Sequence, residues 1–96
     1  MNSITIKLYG KFKDMLNQDK IIFNFEEDEK KIKDIISQIE ENHGVNLNKL
    51  IYNTKEEFNH GILILKNDKD YSILTQVEKK IKNEDTLVFL SSIHGG

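Results

Sequence analysis

The stretch that decides the fold is Thr86-Leu87-Val88-Phe89-Leu90-Ser91, near the end of the chain. As an extended strand it is apolar on both faces, with Val88 and Leu90 on one face and Leu87 and Phe89 on the other. A strand of this kind usually lies in the middle of its sheet, because both of its faces need cover. The sequence therefore predicts a central strand at residues 86–91.

Other strands are predicted where apolar residues alternate or form short runs. Residues 4–9 and 21–25 alternate, so Ile4, Ile6 and Leu8 should share one face of the first strand. Gly10 ends that strand, and residues 11–18 have the spacing of one helical turn. Later strands are predicted at 62–66 and, as a short candidate, at 71–74, separated by a turn at 67–70.

One apolar stripe predicts the main helix. Its members are spaced at i, i+3, i+4 and i+7, and they are Ile32, Ile35, Ile36 and Ile39. We expect a helix over about residues 29–42, with Asp28 as the N-cap and Gly44 as the left-handed residue after its end. Because β-branched isoleucine is a middling helix former, this stripe must gain its stability from packing on a sheet.

This order of elements predicts an α+β fold in which one main helix lies on one face of a mixed, four- to five-stranded sheet. We expect one domain at residues 1–91 and a short tail at 92–96. The long connection at 45–60 should be anchored by the apolar residues Leu47, Leu50, Ile51 and Phe58. A sheet covered on one face leaves an apolar face open, and we interpret Leu87 and Phe89 as a possible partner surface. The alternative is that the long loop covers that face.

Composition excludes several classes of function. The chain has 96 residues, no cysteine and a net charge of −2. Disulfides, thiolate metal sites and a cysteine nucleophile are therefore excluded. Every basic residue is a lysine, and the lack of arginine argues against direct nucleic-acid binding. The three histidines, His43, His60 and His94, lack the spacing of metal ligands. Nothing resembles a membrane span or a signal peptide, so we expect a cytoplasmic protein.

The chemistry of this chain is predicted to lie at its C-terminus, Ile93-His94-Gly95-Gly96. Without a Cβ, Gly95 and Gly96 can thread a narrow channel and leave the terminal carboxylate open to reaction. A free α-carboxyl has a pKa of about 3.5, so it is ionised at neutral pH and can attack the α-phosphate of ATP. A persulfide or an amine could then take the acyl group from the adenylate.

Two segments have a distinctive sequence: the run Gly61-Ile62-Leu63-Ile64-Leu65-Lys66-Asn67-Asp68-Lys69-Asp70-Tyr71 and the ending at residues 86–96. Both resemble the ubiquitin-related modifier family. The family shows a Gly-Ile strand followed by Asn-Asp-x-Asp-Trp, and it ends in Ser-Thr-Leu-His-Gly-Gly. The departures are Tyr71 in place of tryptophan, Thr75 where glycine is common, and Asn59-His60 in place of Arg-Pro. They put loop geometry in question and leave the ending intact.

The resemblance implies a β-grasp fold and a sulfur-carrier function. Gly96 would be adenylated and thiocarboxylated by an activating enzyme with a rhodanese-like domain, with His94 and Gly95 recognised as part of the tail. The sulfur would pass through a separate transfer-RNA thiolase complex to the wobble uridine of certain transfer RNAs. Attachment of Gly96 to target-protein lysines is also implied. The carrier would bind no cofactor itself, because the activating enzyme uses the ATP and the persulfide donor.

Two other functions stay open on the sequence. The small subunit of molybdopterin synthase shares the fold and the Gly-Gly ending, but His94 separates the two families. A ubiquitin-like binding module with an incidental Gly-Gly would keep its function without Gly96. An enzyme is the least favoured reading, since no nucleophile–base pair or phosphate-cradling loop is recognisable. A monomer is the simplest expectation for a tail that must enter another protein.

Overall fold

The computed structural model describes residues 1–92, which form one mixed five-stranded sheet with the helices α1 to α3. The strands are β1 (Asn2–Tyr9), β2 (Lys20–Phe25), β3 (Ile62–Lys66), β4 (Lys69–Asp70) and β5 (Thr86–Ser91). Their order across the sheet is β2-β1-β5-β3-β4. The predicted α+β architecture and the central position of the last strand are therefore confirmed.

Strand β5 pairs with a different partner in a different direction on each side. It runs parallel to β1, with Ile6 beside Leu87 and Leu8 beside Phe89. It runs antiparallel to β3, with Ile62 beside Ser91. The outer pairs β1–β2 and β3–β4 are both antiparallel. The sheet is therefore two hairpin-like halves that are joined only through β5.

The main helix, α2, spans Ile32–His43 and covers one face of the sheet. Its four predicted stripe residues are all buried, and Gly44 ends it at φ 65° with its N–H donated to the Glu40 carbonyl at 2.8 Å. That left-handed conformation suits glycine. The stripe residues of α2 share one core with the sheet, which consists mainly of Ile4, Ile6, Leu8, Phe12, Phe23, Phe25, Ile64, Leu87 and Phe89.

The predicted start of α2 was wrong by three residues. The helix begins at Ile32, and its N-cap is Lys31 instead of Asp28. The cause is a backbone bridge just before it, in which Lys30 and Ile81 exchange hydrogen bonds of 2.8 and 2.9 Å. Because this bridge holds residue 30 extended, the helix cannot begin any earlier.

The predicted strand at 71–74 was also wrong. Residues Tyr71–Ile73 form a 3-10 helix, and the strand before it, β4, has only two residues. Asn67 and Asp68 both have positive φ, which is typical of a tight hairpin between β3 and β4. The Asp70 carboxylate then accepts hydrogen bonds from the backbone N–H and the hydroxyl of Ser72, and this cap favours a helical turn over a longer strand.

The long connection at 45–60 contains a short helix, α3 (Asn48–Ile51), and a backbone bridge between Tyr52 and Phe58. All four predicted anchors contact the core: Leu47 and Ile51 are fully buried, and Leu50 and Phe58 are partly buried. The other short helix, α1 (Lys11–Leu16), confirms the helical turn predicted after β1.

Two side chains hold this connection in place. The Glu40 carboxylate of α2 accepts hydrogen bonds from the N–H groups of Leu47 and Asn48, at 2.6 and 2.8 Å. The Asn59 amide donates to the carbonyls at the end of α3, namely those of Lys49, Leu50 and Tyr52, at 2.9–3.3 Å. Asn59 therefore satisfies carbonyls that a helix end leaves without intrahelical partners.

Replacing Asn59 with alanine should lower the free energy of unfolding by about 1–3 kcal/mol, because the partly buried carbonyls at the end of α3 lose their donor. Urea denaturation followed by circular dichroism would measure the change. The exposed Asn24 of β2 is the matched control, and its replacement with alanine should change stability by less than about 0.5 kcal/mol. Equal losses for the two variants would contradict this role for Asn59.

Candidate functional site

The predicted partner surface, Leu87 and Phe89, was wrong. Both side chains have an exposed fraction of 0%. They lie on the face of the sheet that α2 covers, and the Phe89 ring also makes an edge-to-face contact with Phe12 of α1 at 5.4 Å. These two residues belong to the core, and no partner can reach them in the folded chain.

The open face of the same strand carries an apolar surface instead. Val88 and Leu90 alternate with the buried residues, and their neighbours in β3 are Leu65 and Leu63 respectively. All four side chains are half-buried. We call this group, Leu63, Leu65, Val88 and Leu90, the outer patch.

The outer patch has a polar border on the β1 side. Lys7 lies beside Val88 in the sheet register, and Tyr9 lies beside Leu90 with 48% of its side chain exposed. An apolar centre with a charged or amphipathic rim is the usual make-up of a protein–protein contact. The outer patch is therefore a candidate docking surface.

The end of β5 lies at the border of the outer patch, directly after Leu90. Ser92 is the last described residue, and its backbone N–H donates to the Gly61 carbonyl at 2.9 Å. Its hydroxyl donates to the same oxygen at 3.2 Å. The predicted tail at 92–96 thus starts with a residue that is tied to the sheet, and His94, Gly95 and Gly96 lie outside the described residues.

A concave surface lies between the start of α2 and the segments around Phe58 and Tyr71, with a volume of about 910 Å³. Its wall is an aromatic cluster in which Phe58 contacts Tyr52 at 5.6 Å and Tyr71 at 6.0 Å between ring centroids. Burial raises the pKa of Tyr52 to about 12 and also raises the pKa of Tyr71. Both phenols therefore stay protonated at neutral pH, and they pack without offering a nucleophile.

The segment after Tyr71 is organised by Thr75, one of the departures from the family pattern. The Thr75 N–H donates to the Glu78 carboxylate at 3.0 Å, and the Glu78 N–H donates to the Thr75 hydroxyl at 3.2 Å. This reciprocal pair is a capping box. Its hydrogen bonds from Thr75 lower the pKa of the exposed Glu78 carboxyl. A hydroxyl side chain thus fixes a turn at a position where the family commonly has glycine.

Within residues 1–92, no three histidine or acidic side chains come together as a possible metal site. The helices of that part of the chain are also too short and too polar to cross a membrane.

A mixed sheet in the order β2-β1-β5-β3-β4, with a helix across one face, defines the class of ubiquitin-like β-grasp proteins. Solved structures of that class match the chain along its whole length. Urm1 from Trypanosoma brucei superimposes with a TM-score of 0.72 at 22% identity, covering 99% of this chain and 96% of that protein. SAMP1 from Haloferax volcanii gives 0.72 at 15% identity, with 98% and 99% covered. These likenesses establish the β-grasp fold.

The family follows from the sequence comparisons. The model of the Urm1 (ubiquitin related modifier) family matches residues 3–96. A ubiquitin-related modifier 1 homolog of Caenorhabditis elegans is 30% identical over an alignment of 70 residues, and the match covers 68% of this chain and 68% of that relative. The chain therefore belongs to the ubiquitin-related modifier family. Similarity to the chicken protein, at 37% identity, spans only 43% of this chain and 41% of that relative.

Sequence reasoning found the right strand for the candidate surface but the wrong face of it. The alternation within β5 is symmetrical, so β5 alone carries no signal that separates Leu87 from Val88. The signal lies in the neighbouring strand, because Ile6 and Leu8, which were predicted to share one face of that strand, are buried and lie beside Leu87 and Phe89. Only the register between β1 and β5 connects these two observations.

Two leucines of β5 provide a direct test of this face assignment. Leu87→Ala should lower the free energy of unfolding by about 2–5 kcal/mol, because it opens a cavity in the core. Leu90→Ala should cost only about 1 kcal/mol, since the Leu90 side chain is half-buried on the outer face. Denaturant titration of both variants measures the difference, and a larger loss for Leu90→Ala would reverse the assignment.

Proposed function

We propose that this chain is a cytoplasmic sulfur carrier that is activated at Gly96. An activating enzyme with a rhodanese-like domain adenylates the Gly96 carboxylate and converts it to a thiocarboxylate. A transfer-RNA thiolase complex then uses that sulfur for 2-thiolation of the wobble uridine. The carrier itself acts as a co-substrate of these enzymes, and it contacts neither nucleic acid nor membrane.

The observation that supports this proposal most directly is the extent of the family match. It reaches residue 96, so it includes His94, Gly95 and Gly96 as well as the folded part. The lack of cysteine supports the same conclusion, because the chain has no thiol on which sulfur could be carried. We therefore expect the sulfur to be carried by the Gly96 carboxyl group, as a thiocarboxylate.

The proposed activation consists of three balanced steps. A Gly96 carboxylate oxygen attacks the α-phosphorus of ATP, and pyrophosphate leaves. The terminal sulfur of an enzyme persulfide then attacks the acyl carbon, and AMP leaves. A second thiol cleaves the resulting acyl disulfide, which leaves the thiocarboxylate on Gly96 and a disulfide on the enzyme. The enzyme supplies the charge stabilisation for each step, and the carrier supplies a narrow, reactive terminus.

The outer patch is the surface that we assign to the activating enzyme. It is apolar at its centre, it has Lys7 and Tyr9 at its border, and β5 leads directly from it to the C-terminal residues. A partner that holds the outer patch would therefore also hold the start of the segment on which it acts. Recognition of His94 and Gly95 within the partner's channel completes the proposed contact.

Attachment of Gly96 to lysines of target proteins is a second candidate function. Relatives of this chain are named as ubiquitin-related modifiers, and SAMP1 is named as a small archaeal modifier protein. A lysine amine would attack the acyl carbon of the same adenylate and displace AMP, so conjugation needs no additional site on the carrier. The alternative as a molybdopterin synthase subunit has weaker support: a putative molybdopterin converting factor subunit from Pyrococcus furiosus shares the fold at 13% identity.

Incubation with the activating enzyme, ATP and a persulfide donor should replace one oxygen of Gly96 by sulfur. Intact-mass analysis would detect the change in the wild type and not in a variant that lacks Gly96. Because the chain has no cysteine, a thiol-alkylating reagent should then label the activated carrier alone, at its terminus. The proposed function would be contradicted if the mass of folded wild type did not change in the presence of an activating enzyme that thiocarboxylates its own cognate carrier protein in a parallel reaction.

A charge placed in the outer patch should weaken docking without affecting chemistry. Leu90→Asp should raise the KM for the carrier at least about tenfold and leave kcat within about twofold, because a buried unpaired carboxylate opposes the contact. The control is Ile22→Asp, which makes the same kind of change at a 55% exposed residue of β2. Equal effects of the two variants on KM would remove the outer patch as the docking surface.

A further inference from the structure

We propose that Gly10 is a positioning residue for the C-terminus of this chain. It allows the backbone after β1 to lie against the end of β5, where the Ser92–Gly61 hydrogen bonds hold the strand from its other side. We call this arrangement of Gly10, Gly61, Ser91 and Ser92 the strand-end clamp. The inference rests on the proposed function, because its role is to fix the point from which Gly96 reaches the activating enzyme.

The contact at Gly10 leaves no room for a side chain. A Cβ at this position would lie 2.2 Å from the Ser91 carbonyl oxygen and 3.3 Å from its carbonyl carbon. Both obstacles are backbone atoms, so no change of rotamer could relieve the overlap. Gly10 also has φ 64° and ψ −132°, a conformation that is favourable for glycine alone. Any other residue would push β1 and the end of β5 apart.

The opposite side of β5 is held by hydrogen bonds. Ser92 donates to the Gly61 carbonyl from its backbone N–H at 2.9 Å and from its hydroxyl at 3.2 Å. Ser91, between these two contacts, is buried with an exposed fraction of 5%. The end of β5 is thus held by its close approach to Gly10 on the β1 side and by two hydrogen bonds to the Gly61 carbonyl on the β3 side.

This confinement matters because Gly96, the proposed reacting residue, lies only four residues after Ser92. Four residues can span at most about 14 Å even when fully extended. A backbone shift at Ser91 therefore displaces the start of this short segment. The residues between Ser91 and Gly96 are too few to restore the position of the Gly96 carboxylate. Attack on ATP needs the carboxylate in place to within a fraction of an ångström, and a misplacement of about 1 Å can cost about a hundredfold in rate.

Gly10→Ala is the primary test, with kinetics of thiocarboxylation as the readout. Its kcat should fall by about 10–100-fold, while the KM for the carrier stays within about twofold because no residue of the outer patch is replaced. A double variant, Gly10→Ala without Gly96, should inhibit the wild-type reaction with the same Ki as the variant that lacks Gly96 alone. Loss of affinity in step with the loss of kcat would overturn the inference in favour of general damage to docking.

Gly44→Ala is the matched control. Gly44 has φ 65°, nearly the same as Gly10, but a Cβ there meets nothing within 4 Å. It should lose some stability from backbone strain and keep full kcat at a temperature where both variants are folded. An equal fall in kcat for Gly44→Ala would overturn the inference, because strain and not the contact with Ser91 would then be the cause.

Ser92→Pro tests the other side of the clamp and serves if Gly10→Ala fails to fold. It removes both donors to Gly61 at an exposed residue, so the sheet itself should remain intact. Its kcat should also fall with little change in the KM for the carrier, and Ser92→Ala, which keeps the backbone donor, should show a smaller fall in kcat. Unchanged kcat in Ser92→Pro would overturn the inference.

Hydrogen exchange gives a readout that does not depend on activity. In the wild type the Ser92 amide should be protected, and Gly10→Ala should expose it while amides shared by β1 and β2 keep their protection. If wild type itself is not thiocarboxylated, the proposed function fails and the inference fails with it. If wild type reacts and the clamp variants react equally well, only the inference fails.

Discussion

The pairing of β5 between β1 and β3 is the constraint on which the rest of this structure depends. One side of the sheet consists of β1 and β2 and the other of β3 and β4, and β5 is the strand that joins them. Its inward residues complete the core beneath α2, and its outward residues form the centre of the outer patch. A single six-residue strand thus provides core, surface and the route to the C-terminus.

Such an arrangement connects the stability of the domain to its proposed chemistry. In the proposed function the reacting group is the carboxylate of Gly96, and the chain contributes no thiol of its own. What the folded part can contribute is position: a surface for docking and a fixed starting point for the terminal residues. The strand-end clamp adjoins the outer patch at Leu90, so the proposed activating enzyme would contact both.

The departures from the family pattern acquire a physical role in this structure. Asn59 holds the carbonyls at the end of α3, and Thr75 forms a capping box with Glu78. Tyr71 stacks on Phe58 at 6.0 Å between ring centroids. Each lies in a connecting segment or a short helical turn outside the strands of the sheet, and each makes contacts that a different residue type could make in another way. Loops tolerate this kind of exchange because they carry fewer buried contacts than the sheet.

The sequence by itself determined the α+β class, the central last strand and the isoleucine stripe of α2, and it predicts the glycine ending as the reactive group. These features depend on local periodicity and on residue type, which are visible along the chain. Tertiary structure decided the start of α2, because the bridge between Lys30 and Ile81 joins residues far apart in sequence. It also decided that Val88 and Leu90 face outward, because a strand that is apolar on both sides has no inner face until its neighbours are in register.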